Sequence, residues 1–408
     1  MRILHVTTEF PPVIYGGLGT AIGALVEAST QAGLEVAVLL VGGGSTAGYV
    51  PATHELMRRD YALDRYSGRA LIHGVPHQTA ALEAVEFTRA WRPDLVHVHV
   101  FWLAHIALAI REFTGTPIIY TVHSLDRAEY EVGVGPPECL TQWPVQSNLI
   151  EAADRIVALT ADEQDLINDY CPTAQARVRV VGNGIADTQM ARDRANSRTV
   201  GESITILYSG RFVDRKGIRE LLEAAPQILG SSPRTKLVMA GGHRGSNGEE
   251  MASHWLPPSC CPFRDRIQFT GWLSSEDMNE WYRTADILVV PSWYEPFGML
   301  ILEGMLYGLA IVASAVGGPM AILEDGHTGL ICAPKDSASL ARQVLRLVND
   351  DNLRLSLGRS AASEVRSHWL YGSIVQKTRG VYAEVVASHL ASKASNAAWS
   401  ACLSPVAM

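Results

Sequence analysis

Residues 2–41 read RILHVTTEFPPVIYGGLGTAIGALVEASTQAGLEVAVLLV. An apolar run (Arg2–Thr7), a glycine-bearing loop, a stretch of helical composition at 20–32 and a second apolar run at 35–41 form one strand–helix–strand unit. Strands that are apolar almost throughout, rather than alternating, belong to a parallel sheet covered on both faces. The pattern continues with a helical segment at 82–91 and strands at 95–100, 118–122, 155–160 and 178–181. A polar stretch, residues 187–202 (DTQMARDRANSRTVGE), reads as a linker. Beyond it the pattern restarts, with strands at 205–209, 236–240, 267–270, 287–291 and 311–314 and helices at 217–229, 276–285 and 299–307. The chain therefore reads as α/β, with two Rossmann-like, doubly wound parallel-sheet domains over 1–190 and 191–367. Residues 241–265 read as an irregular excursion from the second sheet, about 368–387 as a helix, and 388–408, rich in Ala and Ser, as a frayed tail.

Composition narrows the function classes. The 408 residues are 47% hydrophobic and 19% charged, enough to build real cores and too apolar for disorder. Lys plus Arg number 34 against 42 Asp plus Glu, a net charge of −8 without basic blocks, so no broad nucleic-acid face is expected. The N-terminus enters a strand without the apolar region of a secretory signal. The uncharged window 304–323 is broken by Gly308, Gly317, Gly318 and Pro319, which argues against a transmembrane segment. Six cysteines without a C-x-x-C pair point to a reducing, cytoplasmic setting and away from structural zinc.

Three stretches carry candidate chemistry. After the first strand, Gly16, Gly17 and Gly19 precede a helix, where backbone N–H groups and the helix N-terminus suit a phosphate. A nicotinamide site or a purely structural turn would also use such glycines. The loop is long for a dinucleotide fingerprint, however, and the acid expected at the end of the second strand is missing. In SGRFVDRKG (Ser209 to Gly217), Arg211 and Lys216 place two cations on a loop entering a helix, a diphosphate clamp or simply two solvated bases. In PSWYEPFGMLILEG (Pro291 to Gly304), Glu295 falls on a loop and Glu303 on the helix that follows. Two such carboxylates can accept hydrogen bonds from sugar and ribose hydroxyls, while the N–H groups of Gly298 and Met299 face a phosphate. A surface acid followed by an ordinary helical one is the alternative. His97, His99 and His105 in VHVHVFWLAH read as core or acceptor-side histidines rather than metal ligands.

Taken together, SGRFVDRKG, the E-P-F-G-x-x-x-x-E stretch from Glu295 to Glu303 and ASAVGGPMAILEDGHTGLI (313–331) resemble the retaining GT-B glycosyltransferases. That family (glycosyltransferase family 4-like) includes glycogen synthase, sucrose synthase and bacterial glucosyl- and mannosyltransferases. GGLG near the N-terminus, PDLVHVHVFWLA (93–104) and YTVHSLD (120–126) agree, so the resemblance covers roughly residues 1–385. It implies two domains facing a central cleft, with the helix near 368–387 crossing back onto the first. It also implies transfer of a hexose from a nucleotide diphosphate sugar, UDP-glucose or similar, to a sugar or other hydroxyl acceptor by front-face attack, with no metal or other cofactor. By the resemblance, His123 would hydrogen-bond the transferred sugar, Arg211 and Lys216 would neutralise the diphosphate, Glu295 would hold sugar hydroxyls and Glu303 the ribose. Gly16, Gly17, Phe297, Gly298, Met299 and Leu300 would frame the donor, and Leu273 would contact the base. The family's N-G-V-D appears here as NGIAD, so Asp187 is assigned no role. A sugar-nucleotide epimerase and a non-catalytic sugar-nucleotide-binding partner are the competing readings.

Overall fold

The computed structural model describes residues 1–11, 16–42, 59–63, 68–243 and 245–403. Residues 12–15 of the glycine-bearing loop and 404–408 of the tail lie outside the described residues. The chain divides into two compact units, one of Met1–Arg127, Pro137–Gly184 and the chain from Tyr371 on, the other of Ala128–Pro136 and Ile185–Leu370.

The first unit is built on β1 (Arg2–Thr7), β2 (Glu35–Gly42), β3 (Arg59–Leu63), β4 (Gly68–Pro76), β5 (Leu95–Val98), β6 (Ile118–Thr121), β7 (Arg155–Ala158) and β8 (Val178–Val180). They lie in the order β3-β4-β2-β1-β5-β6-β7-β8. Every pairing is parallel except that of β3 with β4. Burial on both faces explains the nearly continuous apolar runs: Ile3, Leu4, Val6, Val38, Leu39, Val96 and Val98 are all fully buried. The edge pair β3 and β4 escaped the sequence reading, because GRALIHGVP interrupts its apolar residues with Gly and His.

The second unit is built on β9 (Ile204–Gly210), β10 (Thr235–Gly241), β11 (Ile267–Gly271), β12 (Ile287–Val290), β13 (Ala310–Ser314) and β14 (Leu330–Cys332), in the order β11-β10-β9-β12-β13-β14. Its pairings are all parallel. Ile206, Tyr208, Leu221, Met239, Ile287 and Val312 belong to one core cluster.

Three stretches are more ordered than their composition suggested. Within 187–202, read as a linker, Gln189–Asn196 is a helix capped by Thr188, whose hydroxyl accepts the Ala191 N–H at 3.2 Å, and it buries Ala191 and Ala195. Asp187 pairs with Arg366 at 3.0 Å and with Arg192 at 2.9 Å, which anchors the start of this helix. Within 241–265, read as irregular, Gly248–Trp255 is a helix capped by Asn247, and a 3-10 segment, Pro258–Arg266, sinks Cys260 into the core. The tail, read as frayed from 388, continues one helix, Tyr371–Leu403. That helix is tied to the first sheet by Glu384, which meets Arg155 at 3.1 Å and Arg179 at 2.9 Å. Cys139, Cys171, Cys260, Cys261 and Cys332 are free thiols.

Helix Ala161–Tyr170 opens with a reciprocal cap: the Thr160 hydroxyl accepts the Glu163 N–H at 3.1 Å, and the Glu163 carboxylate accepts the Leu159 N–H at 2.7 Å. Burial outweighs that hydrogen bond and pushes the Glu163 carboxyl up to about 8. The unfolded chain releases this proton near pH 4.5 while the folded chain keeps it until about 8, so the native state loses relative stability as pH rises between those values. Denaturant unfolding of the native protein and of Glu163→Gln, at about pH 5 and about pH 8.5, is expected to show wild type losing ground to the variant at the higher pH. An unchanged difference would mean that Glu163 titrates like an exposed carboxylate.

Candidate active site

In an open α/β sheet, ligands collect beyond the carboxyl ends of the strands at the point where strand order reverses. In the second unit that point lies between β9 and β12, because successive strands run outward from β9 to β10 and β11 on one side and from β12 to β13 and β14 on the other. Arg211 and Lys216 follow β9, and Glu295 follows β12, so sequence positions 79 apart arrive at one place.

Lys216 ends a 3-10 turn, Asp214–Lys216, and its ammonium donates to Glu295 Oε2 at 2.5 Å. Ser292 donates to the same oxygen at 3.2 Å. Gly217, at φ +70°, then turns the chain into helix Ile218–Ser231; a Cβ there would overlap the Pro291 carbonyl. The loops of β9 and β12 are also joined by the Trp293 N–H on the Arg215 carbonyl at 2.8 Å. Arg211 is exposed and has no ion-pair partner among the described residues. It can turn to an incoming anion without first breaking a protein contact.

Gly298, at φ +98°, caps helix Met299–Leu306, whose first-turn N–H groups at Met299 and Leu300 have no partner within the helix. Phe297 is buried, with its ring edge-on to Trp369 at 5.6 Å, so its backbone rather than its side chain borders the site. Glu303 faces inward one turn along, accepting the Tyr282 hydroxyl at 2.6 Å. Burial raises the Glu303 carboxyl above its ordinary range, and the Tyr282 bond opposes part of that rise. Tyr282 is itself held well above the usual phenol range by burial, so it stays a donor. Leu273 lines an open groove of about 790 Å³ with Asn247, Thr270 and Trp281, and none of the groups above is among its lining residues.

Sequence reasoning missed Ser292, Tyr282 and Gly318. The Gly318 N–H donates to the Glu295 carbonyl at 2.8 Å, and a Cβ there would overlap the backbone of Phe297. The Gly-Gly pair after β13 was visible, but what it abuts was not.

In the first unit strand order reverses between β1 and β5. Gly16, extended and exposed, caps helix Gly17–Gln31 without a side-chain bond, and Gly17 is also exposed. His123 follows β6 and is half-buried, its Nε2 3.3 Å from Nδ1 of His99. His97 and His99 are buried as expected, and they are joined by His5 on β1, which sequence reading passed over. His105 sits outside the group, exposed and bonded to the Trp102 carbonyl. Burial lowers His5 to about 3 and His123 to about 4, and lowers His97 and His99 well below the ordinary range, so the four rings are neutral at neutral pH. His97, His99, Thr121, His123 and Asn183 line a cavity of about 20 Å³, room for about one water.

Each of the two α/β units gathers polar groups at its switch point, where open sheets of this kind bind ligands. The chain belongs to glycosyltransferase family 4: residues 15–189 match the model for Glycosyltransferase Family 4, and residues 189–364 match Glycosyl transferases group 1. It is 29% identical to a glycogen synthase of Mycobacterium tuberculosis, over 94% of each chain. Among solved structures, a sucrose-phosphate synthase from Thermosynechococcus elongatus superimposes with a TM-score of 0.74 at 22% identity, covering 95% of this chain and 99% of that one. Anabaena Alr3699/HepE, solved in complex with UDP-glucose, gives a TM-score of 0.70 at 18% identity, covering 95% of this chain and all (100%) of that one. The protein is thus a retaining, nucleotide-sugar-using glycosyltransferase of the hexosyltransferase type with the GT-B fold. Among the described residues no helix is long and apolar enough to cross a membrane.

The close approach at Gly217 yields a stability test. Gly217→Ala adds both backbone strain and a clash with Pro291, whereas Gly326→Ala, at φ +76° with open space around it, adds strain alone. Denaturant unfolding should show a loss of about 1–2 kcal/mol for Gly326→Ala and a distinctly larger one for Gly217→Ala. Equal losses would mean that the two loops are not in contact.

Proposed function

We propose that this enzyme transfers glucose from UDP-glucose to a hydroxyl of a sugar or similar acceptor, with retention at the anomeric carbon. The observation that carries the reading is the Lys216–Glu295 pair at the second switch point, with exposed Arg211 on the loop after β9 and the first-turn N–H groups of Met299 and Leu300 on the helix after β12. The complex of Alr3699/HepE with UDP-glucose supports the choice of donor, and the glycogen synthase relative supports a glucosyl class.

In this reading, Arg211, Lys216 and the first-turn amides hold the diphosphate. Cleaving the bond from the anomeric carbon to the phosphate leaves an oxocarbenium-like sugar and a more negative diphosphate. Donors aimed at the leaving group bind it more strongly as that charge grows, which lowers the barrier. Each could contribute about 3 kcal/mol. Two cations supply the positive charge that other transferases draw from a metal ion. Glu295, fixed by Lys216 and Ser292, accepts hydroxyls of the sugar, and Glu303, oriented by Tyr282, accepts the ribose diol. His123 is read as a contact to the transferred sugar, and Gly16 and Gly17 as a loop without side chains that borders the donor. Leu273 is the base contact of this scheme. Among the described residues no carboxylate stands out as a nucleophile, so in this reading retention proceeds by front-face attack, the leaving phosphate taking the acceptor proton. The free thiols fit a cytoplasmic setting.

Calorimetry with UDP, GDP, ADP and TDP and their glucose and mannose conjugates tests the donor. The expected outcome is selective binding of UDP and UDP-glucose, weakened about tenfold or more in Glu303→Ala. Preference for another nucleotide, or equal affinity in the variant, would overturn the assignment. With an acceptor identified, the product is expected to keep the α configuration of the donor, read by NMR of the anomeric proton.

A further inference from the structure

The three rings His5, His99 and His123 form a hydrogen-bonded row. His5 Nδ1 lies 2.8 Å from His99 Nε2, and His99 Nδ1 lies 3.3 Å from His123 Nε2. His97 stands beside the row but outside it: its Nδ1 bonds the Tyr382 hydroxyl at 2.8 Å and its Nε2 the Thr121 hydroxyl at 2.6 Å. Ring nitrogens of His5, His97 and His99 come within 4.8 Å of one another, as metal ligands would. The row argues against that use. Two nitrogens on one zinc at about 2.0–2.1 Å would stand roughly 3.3 Å apart in a tetrahedral site, and the His5–His99 separation of 2.8 Å instead has room for one shared proton.

A neutral imidazole carries one N–H and one lone pair, so all protons in the row must point the same way. If they point from His123 toward His5, the last N–H is on His5 Nε2. That atom is buried and has no hydrogen-bond partner among the described residues. If they point from His5 toward His123, His5 Nε2 is a bare lone pair instead. A buried N–H without a partner is rarer in proteins than an under-used acceptor. The row therefore runs His5 Nδ1–H to His99 Nε2, then His99 Nδ1–H to His123 Nε2, which leaves the proton of His123 on Nδ1. That nitrogen has no partner among the described residues, and its ring is half-buried beside the small cavity.

We propose that His99, itself held by His5, is a positioning residue that locks His123 in its Nδ1–H tautomer, so that His123 meets its ligand as a hydrogen-bond donor. The tautomer rests on the geometry of the first unit alone. Its consequence for transfer rests on the reading of His123 as a contact to the donor sugar, whose hydroxyl oxygen would accept this N–H.

The lock makes an unusual demand, because a free neutral histidine side chain prefers the proton on Nε2. Protein labelled with 15N-histidine, near neutral pH, reports the tautomer through multiple-bond 15N–1H correlations, with His123 assigned by its loss in His123→Ala. The expected wild-type signal is Nδ1–H. In His99→Leu it should revert to an Nε2–H-rich mixture. In His5→Asn, whose amide can still donate to His99 Nε2, it should stay Nδ1–H, which keeps the test open if His99→Leu folds poorly. With the donor in hand, His99→Leu is further expected to lower kcat/KM about tenfold while UDP affinity is unchanged. An Nε2–H signal for His123 in wild type, an unchanged tautomer in His99→Leu, or one metal ion per chain in the purified protein would overturn the proposal. The Nδ1–H signal in a protein without transferase activity would sink the functional reading and leave the lock standing.

Discussion

The contact between the Lys216 ammonium and the Glu295 carboxylate organises the second unit's site. Both groups are largely screened from solvent, with side-chain exposures of 16% and 11%, so neither charge is well hydrated without the other. Removing one partner from such a pair leaves an uncompensated charge, which costs more than the pair itself contributes. The pair also does geometric work. It draws together the loops after β9 and β12, which the Trp293 to Arg215 bond and the bare α-carbon of Gly217 allow to lie against each other. A larger residue at Gly217 would push these loops apart, and one at Gly318 would push the loop after β12 away from the helix that follows β13. The geometry here is thus set by backbone packing first and by charge second.

Each sheet places its chemistry where strand order reverses, but the two sites use different physics. In the second unit the groups are ionic, Lys216 against Glu295 beside an exposed Arg211, with Glu303 a turn along the next helix. In the first they are neutral imidazoles, where burial keeps each ring to a single proton and leaves hydrogen-bond direction as the variable. The Tyr382 hydroxyl on His97 and the ion pairs of Glu384 fasten the C-terminal helix across the same sheet, so the chain's end helps to fix the environment of its beginning.

Much of this was legible in the sequence, because buried parallel strands need apolar runs and anion-binding loops need glycines and cations at strand ends. Strands β1, β2 and β5 to β13 could be read that way, and so could the placing of Glu295 on the loop after β12 and of Glu303 on the helix that follows. What could not be read depends on contacts between distant positions. Tyr282 reaches Glu303 from a separate helix, His5 meets His99 across 94 residues, and nothing in the local pattern of either announces the partner. Composition also misled where small residues dominate. The tail read as frayed because it loses periodicity and turns to Ala and Ser, and residues 187–202 read as a linker because they are polar with few large apolar residues, yet Ala is the best helix former and needs only a shallow groove to pack, as Ala191 and Ala195 do.

The most direct test of this account compares the binding of UDP and UDP-glucose to the native protein, Lys216→Met, Glu295→Gln and the double variant. If Lys216 serves the diphosphate and Glu295 the sugar, Lys216→Met weakens both ligands about tenfold or more, whereas Glu295→Gln spares UDP and removes only the added affinity of the glucosyl group. Binding of UDP to Lys216→Met as tight as to the native protein would contradict it.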